Sequence, residues 1–243
     1  LYLAPCNGLI IDLRDNGGGQ LTAAEQLAAR FTNERLLMGY MQHKTGKAHT
    51  AFSEMKSQYL KPSKGIRWQK RVVVLTNRAV YSAANEFVKY MRCCPNVTVV
   101  GDRTGGGAGM PYSTELPNGW SVRFSACPMY DKDQNSTEFG IEPDHNVALK
   151  EADWLRGEDT IIEFARELLR INKIAFLSHQ HFPVAQPPEP KVVDHLGVRA
   201  AIDIDYDRIF FRWVEVFGFQ KPVVVVELSV RAFYCAEVYF TES

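Results

Sequence analysis

Short apolar segments that end in polar or glycine-rich turns alternate with helical patterns along most of the sequence before residue 172. Residues 8–13 are almost all apolar, as strands buried on both faces are, and they run into a turn at 15–19. Apolar side chains then recur at helical spacing over residues 21–31. The pattern repeats where residues 71–76 predict a strand and helical spacing begins near Ser82. This alternation predicts βαβ units and a largely parallel sheet.

The remaining patterns predict smaller elements. In chain order they are a strand at 35–42, a polar segment with some local helix at 43–69, a strand at 97–100, a hairpin that pairs 112–116 with 121–125, and a long helix over 152–171. The turn signal Pro117-Asn118-Gly119 separates the two strands of the hairpin.

A proline-rich stretch at 186–190 marks a change in the character of the sequence. After it, apolar residues alternate with charged or polar ones, as at 202–207 and 226–231, which is the period of a strand. We therefore expect three regions: a core over residues 1–172, a linker over 173–190, and a β-rich C-terminal appendage over 191–243.

Charge and hydropathy exclude two classes of partner. Lys and Arg number 28, and Asp and Glu also number 28, so no basic excess exists to neutralise a nucleic-acid backbone. The longest apolar runs, at 72–75 and 223–226, are far shorter than the ~20 residues of a membrane span. We expect no nucleic-acid partner and no membrane-spanning segment.

Ser82 stands at the predicted start of a helix, a few residues after a strand. A hydroxyl at such a place faces unpaired backbone N–H groups and the positive end of the helix dipole, which favour a developing oxyanion. A serine that only caps the helix is the structural alternative. The glycine-rich turns also follow strands, but they match neither GxxxxGK[ST] nor a GxGxxG that opens a helix, so they predict no nucleotide site.

Five segments resemble, in the same order, the landmarks of peptidase family S41, which contains the C-terminal processing and tricorn-type proteases. They are residues 9–19 (LIIDLRDNGGG), 77–87 (NRAVYSAANEF), 99–107 (VVGDRTGGG), 116–119 (LPNG) and 140–144 (GIEPD). The resemblance covers the catalytic core alone, over about residues 8–149.

This resemblance implies an α/β fold of the crotonase/ClpP-like type and a serine-type peptide hydrolase, an endopeptidase, that acts by acyl transfer. Ser82 would be the nucleophile, and backbone N–H groups of Gly18 or a neighbour and of Ala83 would form the oxyanion hole. Glu138 would be an orienting carboxylate. The substrate would be a peptide or protein, and the reaction would need no cofactor or metal. The bacterial relatives imply an envelope or extracytoplasmic location.

The general base is the part of the implied site that the sequence does not supply. Gly107 stands where processing proteases of this family carry their lysine. The tricorn-like branch, which the glycine loop resembles more closely, takes a histidine from a segment before the first landmark. The chain begins seven residues before Gly8 and without Met. We therefore expect the base in an N-terminal part that is missing here, and little or no peptidase activity from this chain.

The histidines of the chain predict neither a base nor a metal site. His145 follows the last landmark, where the family carries an apolar residue, and we interpret it as structural. His179, His181 and His195 lack an acidic or cysteine partner at ligand spacing.

Two other functions remain open at this stage. One is a non-catalytic module that binds a peptide or a lipophilic ligand on the same fold. The other is an acyl-CoA enzyme of crotonase type, which would need no serine nucleophile. Labelling of Ser82 by an active-serine probe would favour the hydrolase, whereas binding of CoA would favour the acyl-CoA enzyme. The oligomeric state is also open.

Overall fold

A computed structural model describes Cys6, residues 8–171 and residues 224–227. In chain order its elements are β1 (Gly8–Asp12), α1 (Leu21–Ala28), a 3-10 turn (Ala29–Phe31), β2 (Leu36–Met41), β3 (Lys56–Leu60), β4 (Arg71–Thr76), α2 (Ala83–Met91), β5 (Val97–Gly101), β6 (Pro111–Glu115), β7 (Ser121–Ser125), β8 (Met129–Tyr130), β9 (His145–Asn146), α3 (Glu151–Leu155), α4 (Thr160–Ile171) and β10 (Val224–Glu227). The main sheet is parallel throughout, in the spatial order β10-β1-β4-β5-β9.

Both faces of the main sheet are buried, which explains the uninterrupted apolar runs of its central strands. Leu9 and Ile11 belong to the core cluster that contains residues of α1 and α2. Ile10 and Val73 face the other way and pack with Ile161 and other residues of α4. The predicted α/β class with a parallel sheet is therefore confirmed.

Helix α2 is buried along its whole length, although three of its nine residues carry polar side chains. Asn85 satisfies its amide by donating to the carbonyl of Thr137 (3.2 Å) and accepting from the Thr104 hydroxyl (2.6 Å). The Thr104 hydroxyl oxygen in turn accepts the N–H of Ile141 (2.7 Å). This network holds two later loops against the helix that begins after Ser82.

The long helix predicted over 152–171 is wrong, because the structure divides it into α3 and α4. Gly157 has a φ of 75°, a backbone conformation that favours glycine and ends α3. The Asp159 carboxylate then accepts the N–H groups of Ile161 (2.9 Å) and Ile162 (3.1 Å) and so caps α4. The same carboxylate forms an ion pair with Arg14 (2.8 Å), which connects α4 to the end of β1.

The smaller sheets lie outside the main one. β2 pairs with both β3 and β8 in an antiparallel sheet, and β6 and β7 form the predicted hairpin, with Tyr112 opposite Phe124. The segment 43–69 contains the strand β3 and not the local helix that its composition predicts. Most of β3 is exposed and polar, with only Leu60 fully buried, so it carries no apolar alternation that a sequence pattern could detect.

Strand β10 lies at the edge of the main sheet, where Val224 is opposite Leu9 of β1. It comes from the region predicted as the β-rich appendage. The linker and the rest of the appendage, including the alternating segment at 202–207, lie outside the described residues, so the division into three regions stays a prediction. Among the helices that the structure describes, none is long and apolar enough to cross a membrane.

Candidate active site

Three turns at the carboxyl ends of neighbouring parallel strands meet beside the start of α2. The turn after β1 and the turn after β4 are joined by Asp15 and Asn77: the Asn77 amide donates to the Asp15 carboxylate (2.9 Å), and its oxygen accepts the Asp15 N–H (3.1 Å). The Tyr81 N–H donates to the Asn16 carbonyl (3.0 Å), and the Ser82 N–H donates to the carbonyl of Gly106 in the third turn (2.8 Å). Such edges are where open parallel sheets form ligand sites.

Ser82 directly precedes α2 and has φ 56° and ψ −125°. A positive φ is unusual for a residue with a side chain, and strain of this kind occurs most often at functional sites. The Ser82 carbonyl accepts the N–H of Glu86 (3.0 Å), so the residue starts the helix through its backbone and makes no side-chain cap. The simple capping interpretation of this serine is therefore wrong.

Gly18 lies against the backbone of the serine segment. A Cβ at this position would be 2.5 Å from the Tyr81 carbonyl oxygen, 2.7 Å from the Ala83 nitrogen and 2.9 Å from the Ser82 Cβ, and the φ of Gly18 is 94°. Only glycine fits these contacts. The first and second landmarks of the sequence thus meet at Ser82.

The backbone N–H groups around Ser82 differ in availability. The N–H of Gly18 donates to the side-chain oxygen of Asn16 (2.9 Å), which is itself buried. Among the described residues, the N–H groups of Gly19 and Ala83 donate to no protein acceptor. Ala83 is the first residue of α2, where helix geometry leaves the N–H unpaired.

A cavity of about 260 Å³ opens beside Ser82. It is lined by Gly19, Leu21, Ser82, Ala83, Glu86, Gly107, Ala108, Gly109, Met110, Pro111 and Met129. Neither a histidine nor a lysine is among these described residues. Glu86 is the ionisable residue in the lining, and its carboxylate is occupied by the ammonium of Lys89 and by the Thr137 hydroxyl (3.1 Å).

Gly107 is the position at which the resemblance places a lysine, and a side chain there would displace the Tyr81 ring. A Cβ there would be 2.0 Å from the Tyr81 ring, and its φ is 70°. The Tyr81 ring therefore occupies the space into which a side chain at this position would extend.

Glu138 lies behind the same glycine loop and does not line the cavity. Its backbone carbonyl accepts the N–H of Gly107 (2.9 Å), and its carboxylate accepts the hydroxyl proton of Ser125 (3.0 Å). The residue is thus attached to the loop that borders Ser82.

None of the described histidines lines the cavity beside Ser82. His145 is in β9, and its ring contacts Phe164 of α4 at 5.5 Å between centroids, on the opposite side of the sheet from α2. His43 contacts Cys127, and His49 is exposed. His179, His181 and His195 lie outside the described residues, and within those residues no group of His, Cys, Asp or Glu side chains is arranged to hold a metal ion.

Several residues of the site were not predicted from the sequence. Asn16 orients the glycine turn, Tyr81 fills the space beside Gly107, and Glu86 and Lys89 form a buried ion pair one turn into α2. The spacing of this pair in the sequence could have predicted it. Opposite charges three residues apart lie on the same face of a helix, and burial of the helix favours an ion pair between them.

Comparison with known proteins tests the family resemblance. The sequence profile of "Peptidase family S41" matches residues 2–147. No curated protein matches the chain. The solved structure of a candidate peptidase from Parabacteroides merdae is 56% identical in sequence, with a TM-score of 0.66, and the match covers 68% of this chain and 52% of that chain.

Two more distant structures share the fold. Mature CPAF complexed with lactacystin is 14% identical with a TM-score of 0.58, over 69% of this chain and 44% of that chain. A candidate S41 protease from Bacteroides fragilis is 20% identical with a TM-score of 0.51, over 71% and 46%. The chain thus spans about half the length of the solved proteins that it matches. The resemblance seen in the five landmarks is confirmed, and the chain belongs to peptidase family S41.

Proposed function

We propose that Ser82 is the nucleophile of a serine-type peptide hydrolase that acts by acyl transfer. The observation that supports this most directly is the left-handed backbone of Ser82 beside Gly18, at the start of a helix and at the edge of a cavity. A strained serine in that position exposes its hydroxyl to a bound peptide instead of capping the helix.

Acylation would form a bond between the Ser82 Oγ and the scissile carbonyl carbon, and the hydroxyl proton would pass to a general base. The unpaired N–H of Ala83, together with that of Gly19, the neighbour of Gly18, would stabilise the oxyanion. The C–N bond then breaks, and the amine leaves with a proton from the conjugate acid of the base. Water hydrolyses the ester and restores Ser82.

We assign Glu138 a positioning role in this scheme. Its contacts with Gly107 and Ser125 would fix the loop at residues 107–109 beside the cavity, and its carboxylate would orient a base that enters there. The base itself would come from outside the cavity lining that the structure describes.

One observation favours a second function: neither a histidine nor a lysine lines the cavity within the described residues. An unassisted serine hydroxyl is a poor nucleophile at neutral pH. A module that binds an apolar peptide without cleaving it would show the same geometry.

Reaction with a fluorophosphonate, followed by mass spectrometry of the labelled peptide, distinguishes the two. The sample should include a longer chain extended to the length of the solved relatives. The hydrolase predicts labelling of Ser82 in that chain and its loss in Ser82→Ala, with Ser113→Ala, an exposed serine of β6, as the matched control. Absence of label from Ser82 in the longer chain would favour the binding module.

We also propose an envelope or extracytoplasmic location, on the basis of the bacterial processing proteases that the chain resembles. Fractionation of cells that express the native gene, with immunoblotting of each fraction, tests this. Recovery in the cytosolic fraction would reject it.

A further inference from the structure

A cysteine and a histidine form a close pair near the Ser82 cavity. The Sγ of Cys127 is 3.3 Å from the Nδ1 of His43. Cys127 lies between β7 and β8, and His43 follows β2, so the pair joins two separate parts of the chain. Both residues are partly exposed, which leaves the thiol open to small molecules.

The partner of Cys127 distinguishes it from the other described cysteines. Cys93 is also partly exposed, but its thiol donates to the carbonyl of Lys89 (3.4 Å), which cannot take up a proton. Burial raises the pKa of Cys93 and of Cys6, and burial together with the neighbouring Cys93 raises the pKa of Cys94 to about 12. Burial thus disfavours the thiolate form of these three cysteines.

The imidazole of His43 can accept the thiol proton, or donate to the sulfur once it is ionised. When His43 carries its proton on Nε2, its Nδ1 is placed to accept the thiol proton of Cys127, and the thiolate formed in this way is the reactive form of cysteine. We propose that Cys127 and His43 form a reactive-thiol site whose substrate is a small peroxide. This proposal goes beyond the hydrolase and does not depend on Ser82.

The proposed reaction is the oxidation of Cys127 by the peroxide, with His43 as the proton donor. The Cys127 thiolate attacks one peroxide oxygen, so that an S–O bond forms and the O–O bond breaks. The sulfur is oxidised to a sulfenic acid and the peroxide is reduced. With hydrogen peroxide the leaving hydroxide takes the proton of the His43 imidazolium and departs as water.

The backbone at Cys127 is bonded to a residue that lines the Ser82 cavity. The N–H groups of Ala126 and Cys127 both donate to the carbonyl of Gly109 (2.9 Å each), and Gly109 lines that cavity. Oxygen added at Cys127 would therefore be introduced next to the glycine loop and not on a remote surface.

The experiment compares the oxidation rates of individual cysteines in the full chain. The protein is treated with hydrogen peroxide, sulfenic acid is trapped with dimedone, and each cysteine peptide is quantified over time by mass spectrometry. An ordinary thiol is only a few per cent ionised at pH 7. Transfer of the thiol proton to His43 should therefore make Cys127 react about tenfold faster than Cys93.

Substitution of His43 tests whether this histidine takes up the thiol proton of Cys127. His43→Gln keeps a hydrogen-bonding side chain but takes up no proton, and it should lower the Cys127 rate to that of Cys93. Ser53→Ala is the matched control, because it removes a bond to the His43 backbone N–H (3.0 Å) and leaves the imidazole in place. Equal rates at Cys127 and Cys93, or a His43→Gln rate equal to that of the unsubstituted protein, would overturn the proposal. If His43→Gln does not fold, the comparison of Cys127 with Cys93 decides alone.

Discussion

At the scale of single residues, adjacent glycines in the first turn should respond very differently to substitution. Gly18→Ala places a methyl group within 2.5 Å of one backbone atom and 2.7 Å of another, at a φ of 94°. We expect a loss of about 1–3 kcal/mol in the free energy of unfolding. In the longer chain, loss of fluorophosphonate labelling at Ser82 should accompany it, because the serine segment must move.

Gly17→Ala is the control, since a Cβ at Gly17 meets nothing within 4 Å and its φ is not in the left-handed region. Stability in urea and labelling should both be unchanged. Equal effects of the two substitutions would mean that Gly18 does not set the position of Ser82.

The buried ion pair of α2 leads to a second prediction. Lys89 and Glu86 are each only 2% exposed, and removing one partner leaves the other charge buried alone. Lys89→Met should therefore cost about 3–5 kcal/mol of stability. The double variant Glu86→Gln/Lys89→Met should recover much of that loss, because no unpaired charge remains. Urea unfolding of the single and double variants measures the coupling, and additive losses would contradict it.

At the scale of elements, the start of α4 depends on Asp159. Asp159→Ala removes the acceptor of two helix N–H groups and should cost about 1 kcal/mol. It also breaks the ion pair with Arg14. Burial disfavours the charged form of Arg14, but the hydrogen bonds and charges of Asp12 and Asp159 outweigh it and raise the pKa of this guanidinium.

Asp159→Asn separates the cap from the charge, because an amide oxygen still accepts the two N–H groups. Its stability should lie between those of Asp159→Ala and the unsubstituted protein, as measured by thermal unfolding. If Asn is as damaging as Ala, the charge on Asp159 and not its capping bond stabilises α4.

The sequence predicted best the elements whose burial follows a simple pattern along the chain. β1 and β4 are buried on both faces, so their apolar runs are unambiguous, and α2 has a regular apolar spacing. The break at Gly157 was missed although its signal is present: a glycine that ends one helix stands two residues before an aspartate that caps the next. β3 was missed because it is exposed and polar, and such strands have no hydrophobic period.

At the scale of the whole molecule, the five landmarks predicted which segments lie together, but they did not predict the side-chain contacts between those segments. Their order along the chain located Ser82, Gly18 and the loop at 105–107, and the parallel sheet brings all three to one edge. The side chains that complete the arrangement, such as Asn16 and Tyr81, act through contacts between residues far apart in sequence. No local pattern carries that information.

The last prediction concerns the activity of residues 1–243 by themselves. General-base assistance contributes about 10²–10⁴-fold to such a reaction. Within the described residues, the cavity lining contains no histidine or lysine, and Glu86 is already paired with Lys89. We therefore expect no peptide turnover above the Ser82→Ala background, measured with an unstructured fluorescent peptide substrate.

A chain extended to the length of the solved relatives should then show turnover that depends on Ser82. The extension can supply a base to an otherwise formed site, because the serine, the unpaired N–H groups and the cavity are already in place in these residues. Turnover by residues 1–243 alone that is lost in Ser82→Ala would refute this arrangement. The base would then have to be sought within this chain, and His43 and His145 would be tested first by substitution with alanine, although neither lines the cavity in the described structure.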